Sequence, residues 1–526
     1  MLNLQILIGE KKHIMSIEQN SNNKRIAKNT IVLYLRMIFI LCVGLFTSRV
    51  VLNTLGVEDY GLYNVVGGFV TIFAFLNGAM STATQRFITF ELAKGNLERQ
   101  KITFSTAVII HFALATIILV LAETIGLWML YEKLVIPEGR FTAAMWVYQL
   151  SIASCFLSIV SLPYNALIIA HEKMSAFAFI SIMDVVLKLV IVYFLTITPF
   201  DRLIFYAVLL FGVQLLDRII YGYYCSKNFE EARFVLAFDK NIFKEMGNVA
   251  GWSLFGNLAG VGYTQGLNLL LNMFFGPAVN AARGVAVTVQ GIVSGFVSNF
   301  QMALNPQITK SYAVNDLKRM HTLIYASSKY SYFLLFVIVL PVFFEAAPIL
   351  TMWLKIVPDH SVWFLRITLC IMLIEALANP LMVSSQATGK VKLYQSVVGG
   401  VLLLILPAAY FALRLGCSPE FVFIIHFIFA LLAQLFRIYI IAPLIQMTIF
   451  EYLNKVMLKV ILVTCASSLT MAIIYHTLPN TFVCGVLIIC LSVLFTIMFV
   501  LILGLTSDER ATVFVKLKNI LQKKCG

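Results

Sequence analysis

The sequence carries very little charge. Only 12% of its 526 residues are Asp, Glu, Lys or Arg, whereas a soluble domain has about 25%. Hydrophobic residues make up 60% of the chain and come in runs of about 20, which is the length that an α-helix needs to span a bilayer. This composition excludes a water-soluble fold and predicts an integral membrane protein.

Motifs for soluble chemistry are missing as well. None of the nine cysteines forms a CxxC pair, so neither a disulfide framework nor a zinc site is expected. The sequence has no HExxH motif and no GxxxxGK[ST] phosphate-binding loop, so we expect no bound metal, no cofactor and no ATP hydrolysis by this chain. The apolar start, Met1–Ile8, is too short for a signal peptide and the charges follow it; Met15 is an alternative start codon.

Hydropathy predicts an all-α membrane protein with about 14 transmembrane helices. The connections between them are short, and no predicted outer loop is long enough for a catalytic domain. The predicted spans cover residues 30–53, 62–90, 102–130, 143–170, 175–197, 203–225, 249–275, 280–306, 327–353, 361–387, 393–414, 420–446, 456–477 and 481–504.

The distribution of basic residues predicts the orientation. With the N-terminus placed in the cytoplasm, 26 Lys and Arg fall in inside segments and 5 in outside segments. Cytoplasmic loops of membrane proteins collect positive charge, so both termini are expected in the cytoplasm. The same bias accounts for most of the formal net charge of +14, and no nucleic-acid partner is needed to explain it.

An internal repeat predicts two related halves. Leu55-Gly56 matches Phe275-Gly276 at a separation of 220 residues, and Gln214-Leu215 matches Gln434-Leu435 at the same separation. We therefore expect two pseudo-symmetric six-helix bundles plus two C-terminal helices. The predicted segments are 1–28 (cytoplasmic), 29–225 (first bundle), 226–248 (cytoplasmic linker), 249–447 (second bundle), 448–505 (two additional helices) and 506–526 (basic cytoplasmic tail).

Ionisable residues inside the spans are the candidates for function, because a charge is costly in the bilayer. Basic groups outnumber acidic ones there, so an anionic substrate is expected to neutralise part of the charge, and guanidinium groups suit phosphate oxygens. Asp184 and Lys188 lie four residues apart and can pair. The candidates for cavity residues that bind the substrate are Arg49, Arg86, Arg283 and Arg36, and those for ion coupling are Glu123, Glu375 and Glu345.

Two segments of the first bundle resemble a known family. The turn Leu55-Gly56 to Tyr60-Gly61 and the stretch from Gly78 to Phe87 resemble the bacterial polysaccharide-biosynthesis flippases, which translocate O-antigen or capsule units. These belong to the multidrug/oligosaccharidyl-lipid/polysaccharide exporter (MOP) superfamily. The length, the repeat and the two extra helices agree with this resemblance, which covers nearly the whole chain.

The resemblance implies that the protein moves undecaprenyl-pyrophosphate-linked oligosaccharide across the bacterial inner membrane by alternating access. It also implies a central cavity lined by arginines of the first, second and eighth helices, which here carry Arg49, Arg86 and Arg283. The expected partners are the polyprenyl-pyrophosphate oligosaccharide and membrane lipids, with the glycan polymerase machinery as a further candidate. A monomer is expected, because each chain contains both halves.

Two other functions stay open. A multidrug or cation antiporter of the same superfamily typically uses a carboxylate in the first or seventh helix, and neither span carries one here, although Glu123 or Glu375 can substitute. A membrane glycan polymerase or ligase is the second alternative. The duplicated halves and the short outer loops favour a transporter, so we expect no enzyme.

Overall fold

The computed structural model describes residues 28–44, 46, 47, 50, 51, 54–56, 59, 62, 63, 74–132, 136, 139–233, 235, 239–275, 277–354, 357–479, 481–507 and 509–511. These residues contain helices and no β-strand. The all-α architecture predicted from hydropathy is confirmed.

The long helices follow the predicted spans in number and order within the described residues. We number them α1 (28–44), α2 (Ala74–Lys94), α3 (Leu97–Glu132), α4 (Phe141–Ala170), α5 (Met174–Ile197), α6 (Arg202–Asn228), α7 (Lys240–Phe275), α8 (Pro277–Ala313), α9 (Leu317–Phe344), α10 (Ser361–Thr388), α11 (Lys392–Arg414), α12 (Glu420–Leu444), α13 (Ile449–Thr477) and α14 (Phe482–Gly504). A short helix, Ala346–Leu354, follows α9.

Ten of these helices are long and apolar enough to cross a membrane, among the residues that are described. Helices α2, α7 and α8 are long enough but too polar to be counted with them. Two of these three more polar helices carry predicted cavity arginines, Arg86 on α2 and Arg283 on α8. Helix α7 has 36 residues, which at 1.5 Å per residue makes about 54 Å, well beyond the ~30 Å hydrocarbon core of a bilayer.

Local sequence explains where several helices begin and end. Asn96, Asp201 and Asp316 cap α3, α6 and α9, each accepting a hydrogen bond from a backbone N–H in the first turn. Gly389 ends α10 with a φ of +77°, a left-handed conformation that costs glycine little. The short polar connections between the apolar runs therefore contain the residues that begin and end these helices.

The connection between α6 and α7 is shorter than the predicted linker, 226–248. Helix α6 continues to Asn228, a single helical turn follows at Glu230–Ala232, and α7 begins at Lys240. The difference arises because the predicted span ends follow apolar residues, whereas the amphipathic sequence from Lys240 onward continues the helix beyond the apolar run. The predicted bounds of the other segments remain predictions.

The chain divides into two units of helices. One unit comprises Met1–Asn257 with Met302–Asn315, and the other comprises Leu258–Gln301 with Asp316–Gly526. We call them the N-unit and the C-unit.

Each unit has its own apolar packing. In the N-unit, α4 packs against α2, α3 and α6. One apolar core of this unit includes the side chains of Leu33, Phe104 and Met174. In the C-unit, residues of α7, α8, α10, α11 and α12 form a core that includes Leu267, Ala282 and Phe364. Helices α13 and α14 pack against each other and against α9.

Candidate functional site

A polar cluster lies within the helices of the C-unit and is built around Arg283. Arg283 is in the first two turns of α8, between Ala282 and Ala286, which both belong to the apolar core. Its side chain is buried, and Nη1 donates a hydrogen bond to Oδ1 of Asn268 on α7. The neighbouring small side chains let α8 pack closely while the longer guanidinium reaches the polar face of α7.

Tyr263, five residues before Asn268 on α7, connects Arg283 to other helices. It interacts electrostatically with Arg283, with Glu375 on α10 and with Arg437 on α12. The ring of Tyr263 also makes an edge-to-face contact with His426 of α12, with centroids 5.0 Å apart. Four helices of the C-unit therefore contribute polar side chains to one region, which we call the Arg283 cluster (Tyr263, Asn268, Arg283, Glu375, His426 and Arg437).

The Arg283 cluster has an excess of positive charge. Its two arginines face one carboxylate, and Glu375 interacts electrostatically with Arg437. Arg283 and Arg437 are 5% and 8% exposed, so the charges lie away from bulk water, where they interact more strongly than at a surface. A buried group of this charge and shape can bind an anion with oxygen acceptors.

Several buried polar atoms of this region have no hydrogen-bond partner within the part of the chain that the structure describes. They are Nε2 of His426, Nε of Arg437 and both amide atoms of Gln434 on α12. Buried polar groups are normally hydrogen-bonded because an unsatisfied one costs about 1–3 kcal/mol. These donors and acceptors are available to water or to a bound ligand, which makes the C-unit cluster the strongest candidate for a binding site.

The other predicted arginines lie in the N-unit or outside the described residues. Arg36 lies 4.5 Å from the ring centroid of Phe177. Arg86 packs over Phe87 and Phe90 at 4.3 and 5.0 Å and interacts electrostatically with Glu245 and Tyr312. These surroundings hold both arginines against aromatic rings. Arg49 falls outside the described residues, so its predicted role stays a prediction.

Glu123 occupies an unusual turn of α3. Residues Ala122–Gly126 form a π-helical turn, a local widening that often occurs at functional sites. Gln149 of α4 donates a hydrogen bond to Glu123 at 3.2 Å, and the Tyr148 hydroxyl donates to the carbonyl of Ala122 at 2.7 Å. Glu123 is therefore hydrogen-bonded to α4, and its role in ion coupling is untested.

Glu345, a predicted ion-coupling residue, and Arg366 of α10 have separate surroundings. Arg366 donates to the carbonyl oxygens of Phe343 and Phe344, at 2.9 and 3.4 Å, and thereby satisfies the end of α9. Glu345 is buried at the break between α9 and the following short helix, beside Gly485 of α14. Arg366 therefore stabilises the end of α9.

The structure brings together some of the predicted residues and adds others. Arg283 and Glu375 share Tyr263 as a neighbour within the C-unit. Arg36, Arg86 and Glu123 each have a different set of neighbours. Five residues of this region were not predicted from the sequence, and polar side chains in otherwise apolar spans are the signal that points to them: Tyr263, Asn268, His426, Gln434 and Arg437. Among the described residues, no group of His, Cys, Asp and Glu could hold a metal ion.

The N-unit contains an apolar cavity of about 310 Å³ between α2, α3 and α7. Aliphatic side chains and glycines line it, including Met80, Ile110 and Gly247. A cavity of this chemistry accommodates hydrocarbon and offers almost no hydrogen-bonding group.

Comparison by structure identifies the architecture. The crystal structure of a MATE protein in the bent conformation superposes with a TM-score of 0.70 at 13% identity, over 81% of this chain and 96% of that chain. An outward-facing multidrug resistance MATE transporter of the MOP superfamily gives 0.65 at 15% identity, over 79% and 96%. The chain has the MATE fold.

A third similar structure is a MOP-superfamily transporter from Pyrococcus furiosus, described as having a binding pocket of reverse polarity that suggests a different function. Its TM-score is 0.64 at 15% identity, over 79% of this chain and 96% of that chain. No protein-family model matches the sequence, and no curated protein matches it either. At these identities, the likeness establishes the MATE fold alone; the ten long apolar helices among the described residues indicate a multi-pass membrane protein, and two of the similar proteins are described as transporters.

Proposed function

We propose that this protein is a secondary transporter for an anionic amphipathic substrate, and specifically a flippase for undecaprenyl-pyrophosphate-linked oligosaccharide. The MATE fold supports membrane transport as the general activity. The specific substrate is supported by the resemblance of the first bundle to polysaccharide flippases, together with the charge of the Arg283 cluster.

The observation that carries the proposal is the excess of buried positive charge around Arg283. Two arginines face one carboxylate there, and Arg283 is 5% exposed. A guanidinium donates two parallel hydrogen bonds to phosphate oxygens and stays charged in a poorly hydrated site. A pyrophosphate would supply the negative charge that the cluster lacks.

A multidrug cation antiporter is the second candidate, and the structural comparisons favour it more directly. A multidrug resistance MATE transporter is among the similar structures. Glu375 also lies within the C-unit near the aromatic ring of Tyr263, and a carboxylate beside aromatic rings suits an organic cation. In this case Glu375 would bind the cation, and the arginines would need to be neutralised by other means.

The sign of the net charge at the site distinguishes the two candidate functions. The transporter from Pyrococcus furiosus is described as differing in function because the polarity of its pocket is reversed. By the same reasoning, an excess of arginine favours an anion here, and a pocket controlled by Glu375 favours a cation.

Ligand binding to the purified protein tests this proposal. Undecaprenyl pyrophosphate and a lipophilic cation are titrated against the wild type, Arg283→Gln, Arg283→Lys and Glu375→Gln, with Arg99→Gln as the matched control because the Arg99 side chain is 57% exposed. Loss of a charge-assisted hydrogen bond costs about 2 kcal/mol, which corresponds to roughly a 30-fold weaker affinity. We expect this loss for the pyrophosphate in Arg283→Gln and a partial loss in Arg283→Lys.

The opposite pattern would support the antiporter. Cation binding that is lost in Glu375→Gln, with no pyrophosphate binding to the wild type, would overturn the flippase proposal. An equal loss in Arg99→Gln would show that surface charge, and not the cluster, attracts the anion.

A further inference from the structure

The apolar cavity of the N-unit is a feature that the proposed function does not use. It has a volume of about 310 Å³, and the ten residues that line it lie on α2, α3 and the first half of α7, all within the N-unit. None of them carries a polar or charged side chain. An apolar cavity of about 150 Å³ already stays free of water and binds small hydrophobic molecules, so this larger one is suited to hydrocarbon.

Two glycines of α7 keep this space open. A Cβ atom added at Gly247 or Gly251 would have no neighbouring atom of the described residues within 4 Å. Neither glycine has a positive φ, so the backbone conformation does not require glycine, and no other helix approaches closely enough to exclude a side chain. Glycine within a helix is destabilising relative to alanine. What the two glycines provide is therefore the empty volume itself.

The cavity has the length of one leaflet of a bilayer. Its lining on α7 runs from Phe243 to Leu254, which at 1.5 Å per residue is about 16 Å. One leaflet contributes about half of the ~30 Å hydrocarbon core. Phe243 and Ile117 of α3 are 45% and 57% exposed, so the lining is accessible from outside the protein, where a membrane-spanning helix meets lipid.

Positive charge lies at one end of the cavity. Lys240, Lys244, Gly247 and Gly251 follow each other at spacings of four, three and four residues, which places all four on one stripe of α7. Both lysines are exposed, at the end of α7 that the distribution of basic residues predicts to be cytoplasmic. Basic groups at the ends of transmembrane helices attract the headgroups of anionic lipids. The apolar cavity and the two ammonium groups are therefore complementary to the two parts of an anionic lipid.

We propose that this cavity binds one acyl chain of an anionic phospholipid of the bilayer, with the phosphate of that lipid at Lys240 and Lys244. The chain fills the space beside Gly247 and Gly251, and the phosphate oxygens accept hydrogen bonds from the ammonium groups. A bound chain also removes the cost of an empty cavity, which rises with the cavity volume. The site does not depend on which substrate the protein transports.

Native mass spectrometry of the full chain tests the site by counting bound lipids. The protein is titrated in detergent with phosphatidylglycerol and with phosphatidylcholine that carry the same acyl chains. The wild type is compared with Gly247→Leu and Gly251→Leu, whose side chains enter the cavity. The matched control is Gly260→Leu, because Gly260 also lies within α7 with open space at its Cβ position but does not line the cavity. Leucine is a better helix former than glycine, so we expect these variants to fold.

The expected effects follow from the hydrocarbon and from the charge. Each methylene group that leaves the cavity weakens binding roughly fourfold. A leucine side chain that displaces about three of them should weaken the binding of the first phosphatidylglycerol by roughly 60-fold in Gly247→Leu and in Gly251→Leu, and not in Gly260→Leu. The double variant Lys240→Gln/Lys244→Gln should lose the preference for phosphatidylglycerol over phosphatidylcholine, about fivefold for each lysine, and should still bind the chain.

Tryptophan fluorescence locates the bound chain in a bilayer. Trp252 follows Gly251 on α7, so phosphatidylglycerol with brominated acyl chains, in vesicles of phosphatidylcholine, should quench its emission. The quenching that Trp252→Phe removes from the wild type should disappear in Gly247→Leu and persist in Gly260→Leu.

Four results would overturn the proposal. These are equal binding of the first phosphatidylglycerol by the wild type and Gly247→Leu, an equal loss in Gly260→Leu, equal affinity of the wild type for both headgroups, and a loss in Gly247→Leu that affects undecaprenyl phosphate and no phospholipid. The last result would assign the cavity to a prenyl chain. Failure of the protein to bind the lipid pyrophosphate would refute the proposed function and leave the phospholipid measurements unaffected.

Discussion

Glu172 offers a direct test of how a single buried carboxylate holds the N-unit together. Its side chain is 0% exposed and accepts hydrogen bonds from Gln307 and Lys310 near the end of α8, both at 2.7 Å. Its carbonyl oxygen accepts a hydrogen bond from the side chain of Asn29 on α1, at 3.2 Å. Glu172 thus ties α1 and the final turns of α8 to the short turn between α4 and α5.

The expected magnitude follows from the burial and from the backbone. Removing one partner of a buried ion pair costs about 3–5 kcal/mol, but the side chain of Lys310 is 24% exposed and can be partly rehydrated. We therefore expect Glu172→Ala to lower the free energy of unfolding by about 2–3 kcal/mol. Glu172 has a φ of +59°, a conformation that costs a non-glycine residue about 1–2 kcal/mol, so Glu172→Gly should lose about 1 kcal/mol less than Glu172→Ala.

Unfolding of the purified protein in detergent, followed by helix content against denaturant, measures these differences. The matched control is Glu98→Ala, because Glu98 is 82% exposed and its ion pair with Lys101 is at 3.4 Å; such a pair contributes about 0–1 kcal/mol. Wild-type stability in Glu172→Ala would refute the role of the carboxylate. An equal loss in Glu172→Ala and Glu172→Gly would refute the contribution of the backbone conformation.

Two further predictions concern the ends of the helices. Burial raises the pKa of Glu231, but the hydrogen bond from His171, a backbone hydrogen bond and the charge of His171 together outweigh burial and lower the pKa. The stabilisation is therefore complete above the unfolded-state pKa, about 4.5, and is lost as the pH falls through the folded-state value. Acid unfolding should therefore be less steep in Glu231→Gln. Arg140 donates hydrogen bonds to both Asp59 and Asp201, and its side chain is only 28% exposed. Arg140→Gln should therefore lower the melting temperature by the equivalent of about 1–2 kcal/mol. Arg140→Lys should recover only part of this loss, because an ammonium group lacks the forked N–H donors of a guanidinium.

Much of the fold could be predicted from the sequence because hydrophobic length is the dominant constraint in a membrane. Runs such as that within Phe141–Ala170 fix the positions of the helices, and residues such as Asn96 and Gly389 mark their ends. The amphipathic start of α7, from Lys240, extends beyond the apolar run. Its limit depends on local helix propensity, which hydropathy does not measure.

The candidate site was only partly predictable because its members come from distant parts of the chain. The cost of burying a charge in the bilayer selected Arg283 and Glu375 as candidates, but not Tyr263, which connects them. Sequence spacing predicted the ion pair of Asp184 and Lys188 within one helix. It could not predict that Arg283 of α8 donates to Asn268 of α7, since that contact depends on how the two helices pack.

The proposed function requires that this MATE-fold protein transport a lipid pyrophosphate through a site that contains Arg283. The most direct test is leaflet transfer in proteoliposomes, comparing an undecaprenyl-pyrophosphate-linked oligosaccharide with a lipophilic cationic dye and with vesicles that contain no protein. We expect protein-dependent transfer of the glycolipid, which Arg283→Ala and Arg49→Ala abolish while both variants still insert into the membrane and Arg99→Gln keeps full transfer. Dye transport without glycolipid transfer, or full glycolipid transfer by both alanine variants, would contradict it.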